Sequence, residues 1–123
     1  MRTWILAAGL ALAMSNAGAD GVENKWRIEV DGNARTAGLI VLQVAPAKGE
    51  PIRAVAIISN GRKENDVARD VSAALQKVAS NHYNVEVDDG EDVLVKKQDG
   101  ERNFVVTVVE NTVQGVNIAV DAE

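Results

Sequence analysis

Beyond the first nineteen residues, only a few side chains stand out as able to carry acid–base, nucleophilic or metal chemistry: His82, the serines Ser59, Ser72 and Ser80, and the acidic run Asp88-Asp89-Gly90-Glu91-Asp92. His82 is the one histidine, and an imidazole can serve as general base, metal ligand or pH switch. It falls where a helix should end, and the simpler role there is contact with the last helical carbonyls, worth about 0.3–1 kcal/mol when protonated. Cysteine is absent, which removes thiolate nucleophiles, zinc–thiolate sites and disulfides, so a closed zinc site would need mostly carboxylates. Ser59-Asn60-Gly61 lies between a strand signal and a helix signal, yet no Gly-x-Ser-x-Gly elbow surrounds it and its base would have to be His82. Ser72 is expected on the polar flank of the helix.

The acidic run offers the oxygen ligands that calcium prefers. It does not follow the Asp-x-Asp-x-Asp-Gly pattern with a distal Glu, and its terminal acids are expected on opposite faces. A solvated hairpin tip is the better reading, one whose negative charge steers a basic partner. The glycines at 32, 38, 49, 61, 90, 100 and 115 form no phosphate cradle. No residue is therefore assigned to catalysis, to a cofactor or to a metal. The competing class is a small hydrolase or metal-assisted enzyme built on His82 and the acidic turn.

The elements that would position these groups follow from periodicity. Trp26, Ile28 and Val30 alternate with Lys25, Arg27, Glu29 and Asp31, which is the period of a half-buried strand. Gly32-Asn33 supplies turn residues. Leu39 to Val44, with Ile40-Val41-Leu42 in succession, predicts a strand covered on both faces or a central one, and Ile52 to Ser59, with Ile57-Ile58, is similarly unalternating. From Asp66 the spacing becomes Val67, Val71, Leu75, Val78, a helical stripe, with Asn65 as expected N-cap and Asn81 as left-handed terminator. Four strand signals follow, at Asn84 to Asp88, Asp92 to Gln98, Asn103 to Val109 and Val113 to Val120. Asp89-Gly90 and Asp99-Gly100 separate the first three, predicting an antiparallel meander. Gly115 marks a bulge or a close backbone approach. The expectation is an α+β fold, a single helix packed on a curved, mainly antiparallel sheet, in the order β-β-β-α-β-β-β-β.

Residues 1–19 read as a cleavable signal peptide: Arg2, the apolar run Trp4 to Met14, and Asn16-Ala17-Gly18-Ala19 before Asp20. The run is shorter than the roughly 20 residues a membrane-spanning helix needs. Residues 20–123 then form one domain, exported to the periplasm or the extracellular space. The formal charge of the whole chain is −5, and loss of Arg2 makes it more negative, which disfavours nucleic acid and anionic lipid as partners. Trp26, Tyr83 and Phe104 are the aromatic residues beyond the leader, leaving a core of Val, Ile, Leu and Ala and no stacking platform.

What remains plentiful is sheet. An uncharged edge accepts a strand from another chain, and the first strand or the last, Val113 to Val120, is the candidate edge. Residues 65–109, with Asp66-Val67-Ala68, Val71, Ala73-Ala74-Leu75, Tyr83-Asn84-Val85, Val87, Val93-Leu94-Val95 and Asp99-Gly100 before Asn103-Phe104 and Val106, resemble the strand-helix-strand-strand modules of phage tail proteins and flagellin-like secreted subunits. That resemblance implies a structural or interaction element without catalytic residues. Residues 65–120 also resemble cystatin-like folds, which implies a periplasmic inhibitor as the alternative, although the Gln-x-Val-x-Gly wedge is missing. The expected function is an exported, non-catalytic binding or structural module acting through protein–protein contacts. The expected partner is a protein, and a homo-oligomer is compatible with this reading.

Overall fold

Alternation at Lys25–Asp31 produces strand β1, with Ile28 and Val30 buried on one side and Glu29 and Asp31 exposed on the other. The computed structural model describes residues 21–123; the signal-peptide expectation for residues 1–19 lies outside them. After β1 come β2 (Gly38–Pro46), β3 (Ile52–Ile58), α1 (Glu64–Ala79), β4 (Tyr83–Asp88), β5 (Asp92–Lys97), β6 (Phe104–Asn111) and β7 (Asn117–Ala122). Among the described residues one helix and seven strands in two antiparallel sheets make this an α+β fold in the order β-β-β-α-β-β-β-β.

The strands divide as β4-β5-β1-β7 and β3-β2-β6. The helix packs chiefly along β3 and across β4, with lesser contact to β1 and β5. It thus lies on the inner face of the four-stranded sheet and flanks the edge of the three-stranded one. The helical stripe Val67, Val71 and Leu75, with Ala68 and Ala79, is buried there against Ile28, Val93 and Val95 from one sheet and Ile40, Leu42, Ala56 and Ile58 from the other. At one end of the core Tyr83 and Phe104 pack at a ring separation of 4.7 Å, and the Trp26 indole N–H donates to the Phe104 carbonyl at 2.8 Å. Glu23 and Phe104 exchange backbone hydrogen bonds at the same place, joining the two sheets.

The meander expected from Asn84 onward is not formed. Only β4 and β5 are paired neighbours, because β1 occupies the other side of β5. Asp99-Gly100 therefore closes no hairpin. The connection carrying it crosses to β6, which pairs with β2, before β7 returns to β1. The same pairings place the first strand inside its sheet, so of the two candidate edges only the last strand is one.

Both helix caps also differ from expectation. Asn65 is not the cap; the Asn33 side-chain oxygen accepts from the Glu64 backbone N–H at 2.9 Å, while the Glu64 carboxylate accepts from the Gly32 N–H at 2.9 Å. Two chain segments thus satisfy each other's unpaired donors, a cap supplied by the β1–β2 loop. At the other end Ser80 is right-handed and its N–H reaches the Gln76 carbonyl, so Asn81 is not needed as a left-handed terminator. Gly115 does mark a close backbone approach: a Cβ there would lie 2.3 Å from the Asn33 carbonyl, and one on Gly32 would lie 2.1 Å from the Gly115 carbonyl.

Candidate functional site

The acidic turn, Ser59 and His82 lie on separate parts of the chain, while Ser80 is two residues before His82. His82 follows the helix, and its backbone N–H donates to the Ala79 carbonyl at 3.1 Å. Its ring turns away from the helix, Nδ1 lying 2.9 Å from a Glu101 carboxylate oxygen, so the ring does not take the expected place on the helix carbonyls. It lines a hollow of about 420 Å³ with Tyr83, Lys48, Glu50, Glu101 and Arg102. Burial, and secondarily the charge of Glu101, raises the Tyr83 phenol above its ordinary value. Ser59 precedes the helix and His82 follows it. Sixteen helical residues, a rise of about 24 Å, separate their positions in the chain. Ser72, expected on a polar flank, is buried among the core-facing helix residues, and its Oγ lies 3.4 Å from the Gln76 side-chain nitrogen.

In the acidic turn, Asp88 and Asp92 are cross-strand partners and lie on the same face, not on opposite ones. Both are bound by Arg27, at 3.1 Å and 2.6 Å, and the same guanidinium reaches Glu123 at 3.0 Å. The three carboxylates, Glu123 foremost, hold Arg27 protonated well above the usual guanidinium range, and Arg27 in turn lowers the Glu123 carboxyl. Asp89 and Gly90 take positive φ of 52° and 83° at the tip, the conformation a tight hairpin turn requires. Among the described residues no group of three or more His, Asp or Glu side chains could hold a metal ion.

The surface that stands out is apolar and belongs to the three-stranded sheet. Its inner face carries Ile40, Leu42, Val44, Ala54, Ala56 and Ile58. On its outer face Leu39 lies opposite Ile57 and Val41 opposite Val55. The register with β6 shifts between Val41 and Leu42, so that Val41 faces Glu110 while Leu42 faces Val108; Val109 is the extra residue of a bulge beside this block. Ile57 is 77% exposed, Val55 52%, Val109 41% and Leu39 36%. Leu39, Val55, Ile57 and Val109 thus leave aliphatic surface in solvent on this sheet, around the buried Val41.

These residues were legible in part. The successions Ile40-Val41-Leu42 and Ile57-Ile58 correctly indicate strands apolar on both faces. The expectation that the first of these strands is covered on both faces or central holds, since Ile40, Val41 and Leu42 are all buried and β2 is the middle strand, whereas β3 at the sheet edge leaves Val55 and Ile57 exposed on its outer face. Val109 had only Val108-Val109 as its signal, since nothing local announces the bulge.

A second open feature is β7, which ends the four-stranded sheet. Its outer face adjoins a hollow of about 450 Å³ lined by Asn117, Ile118 and Ala119 together with Glu29, Asp31 and Glu91. No helix among the described residues is long and apolar enough to cross a membrane. No family model, no curated protein and no solved structure matches the chain.

Proposed function

We propose that this chain is an exported, non-catalytic module that works by protein–protein contact, docking through the outer face of the three-stranded sheet. The observation that carries this reading is the exposed set Leu39, Val55, Ile57 and Val109 around the buried Val41, aliphatic side chains held on a sheet whose other face is core. Full burial of such a side chain from full exposure is worth about 1.5–3 kcal/mol, and these side chains, already partly buried, gain a fraction of that each when a partner closes over them, Ile57 the most. The acidic turn supports binding over metal or acid–base chemistry, since Asp88 and Asp92 are held by Arg27.

The test is association of the purified chain, measured by sedimentation and by cross-linking in envelope extracts, for the wild type and for the double variant Val55→Asp, Ile57→Asp. The wild type forms a discrete complex, either with itself or with a second protein. The double variant keeps its circular dichroism spectrum and loses the complex. A complex that survives both substitutions overturns the assignment of this face. Export is tested separately by N-terminal sequencing of protein recovered from the envelope, where a start at Asp20 is expected and an intact Met1 on cytosolic protein overturns it.

A further inference from the structure

We propose that β7 accepts, as an added strand, an extended segment of a partner protein in which lysine or arginine alternates with aliphatic residues. This rests on the reading of the chain as a protein-binding module and names what its second open surface takes. The backbone of residues 117–122 is bonded to β1 on one side, and among the described residues no backbone hydrogen bond outside that ladder reaches it. Unpaired N–H and C=O groups along a strand are a template for another strand. The strand carries no lysine, arginine or proline that would discourage pairing.

The side chains on the two faces set the chemistry of the occupant. Toward the core, Ile118 and Val120 are only partly buried, and Val108 on the neighbouring edge of the other sheet remains exposed. An added strand places every second side chain beside them, and aliphatic residues fit there. Toward solvent the residues of β7 are Asn117, Ala119 and Asp121, paired across the ladder with Asp31, Glu29 and Arg27. Glu29, Asp31, Glu91 and Asp121 have no ion-pair partner among the described residues, unlike Asp88, Asp92 and Glu123, which Arg27 engages. Ala119 is too short to fill the hollow above it. A lysine or arginine on the added strand opposite Ala119 extends across it toward Glu29 and Asp31, and one opposite Asp121 meets that carboxylate directly. Backbone pairing supplies the affinity, and the charge row supplies register and partner choice.

The experiment is calorimetric titration of the full chain with a blocked hexapeptide of alternating lysine and valine. Three relatives serve as controls: glutamate in place of lysine, N-methylation at the lysine amides, and N-methylation at the valine amides. The parent peptide binds with one-to-one stoichiometry, and the glutamate version binds at least about tenfold more weakly, as does the parent to a Glu29→Gln, Asp31→Asn variant. One N-methylated peptide fails while the other still binds, because only alternate N–H groups of an added strand face its neighbour. The proposal is overturned if both N-methylated peptides bind like the parent, which indicates charge attraction alone, or if the parent does not bind at millimolar concentration. The Val55→Asp, Ile57→Asp variant binds the peptide unchanged, so failure of the apolar docking face and failure of the edge are told apart.

Discussion

The two sheets face the same problem on their outer surfaces and meet it differently. In the four-stranded sheet, Leu94 points away from the core, yet it lies between Arg27 and Glu86 in the ladders and is buried. Arg27 is tied to Asp88, Asp92 and Glu123 above that layer, so a long aliphatic stem and its ion cluster roof the apolar side chain. In the three-stranded sheet the outer positions are Leu39, Val41, Val55 and Ile57; the central Val41 is buried there, while Leu39, Val55 and Ile57 stay exposed. One outer surface is roofed within the chain, and the other keeps three of its aliphatic side chains in solvent. Apolar outer faces are therefore not equivalent; what distinguishes them is whether a neighbouring strand brings a side chain able to cover them.

The sharpest way to break that contrast uses adjacent residues of β3. Ile58 is fully buried and Ile57 largely exposed, so Ile58→Ala is expected to cost about 2–5 kcal/mol in urea unfolding. Ile57→Ala is expected to change the stability of the isolated chain by no more than about 0.5 kcal/mol. Equal losses would mean that the outer face is already covered. The loop crossing that sets the sheets in place comes next: Gly32 has a φ of 94° and no room for a Cβ. Gly32→Ala should cost about 2–4 kcal/mol, read as a lowered thermal midpoint. Removing the remote cap with Asn33→Ala should cost about 0.5–2 kcal/mol, with the amides of the first helical turn losing protection from hydrogen exchange.

The smallest effect concerns pH. Tyr83 is the one tyrosine of the chain, and its phenol is raised by burial first and by Glu101 second. The unfolded chain releases this proton near pH 10, while the folded chain retains it to higher pH. The stability tied to the neutral phenol is thus complete below about pH 10 and is lost as pH rises through the folded value. Ultraviolet titration of the phenolate should give a midpoint above the ordinary tyrosine value, and Tyr83→Phe should flatten the alkaline decline in stability. An ordinary midpoint would show that the Tyr83 end of the core is open to water.

Much of this was legible because it depends on periodicity. The alternation of Trp26, Ile28 and Val30 and the spacing of Val67, Val71 and Leu75 specify a strand and a helix almost wherever they are placed. Less legible were features made by contacts distant in sequence. Asn33 caps a helix that begins at residue 64, and Arg27 gathers carboxylates from residues 88, 92 and 123. Asp99-Gly100 has the composition of a hairpin turn, but β5 was already paired on both sides.

The amino-acid order alone thus determined the element types, the aliphatic core without thiols, and the presence of strands apolar on both faces, because these follow from side-chain polarity at fixed spacing along the backbone. Only the tertiary structure decided that the strands part into two sheets, that β1 is central and β7 an edge, and that one apolar face stays open. Those outcomes depend on which strand reaches a free row of hydrogen-bonding groups first and on where a single helix lies, and neither is encoded in any one segment.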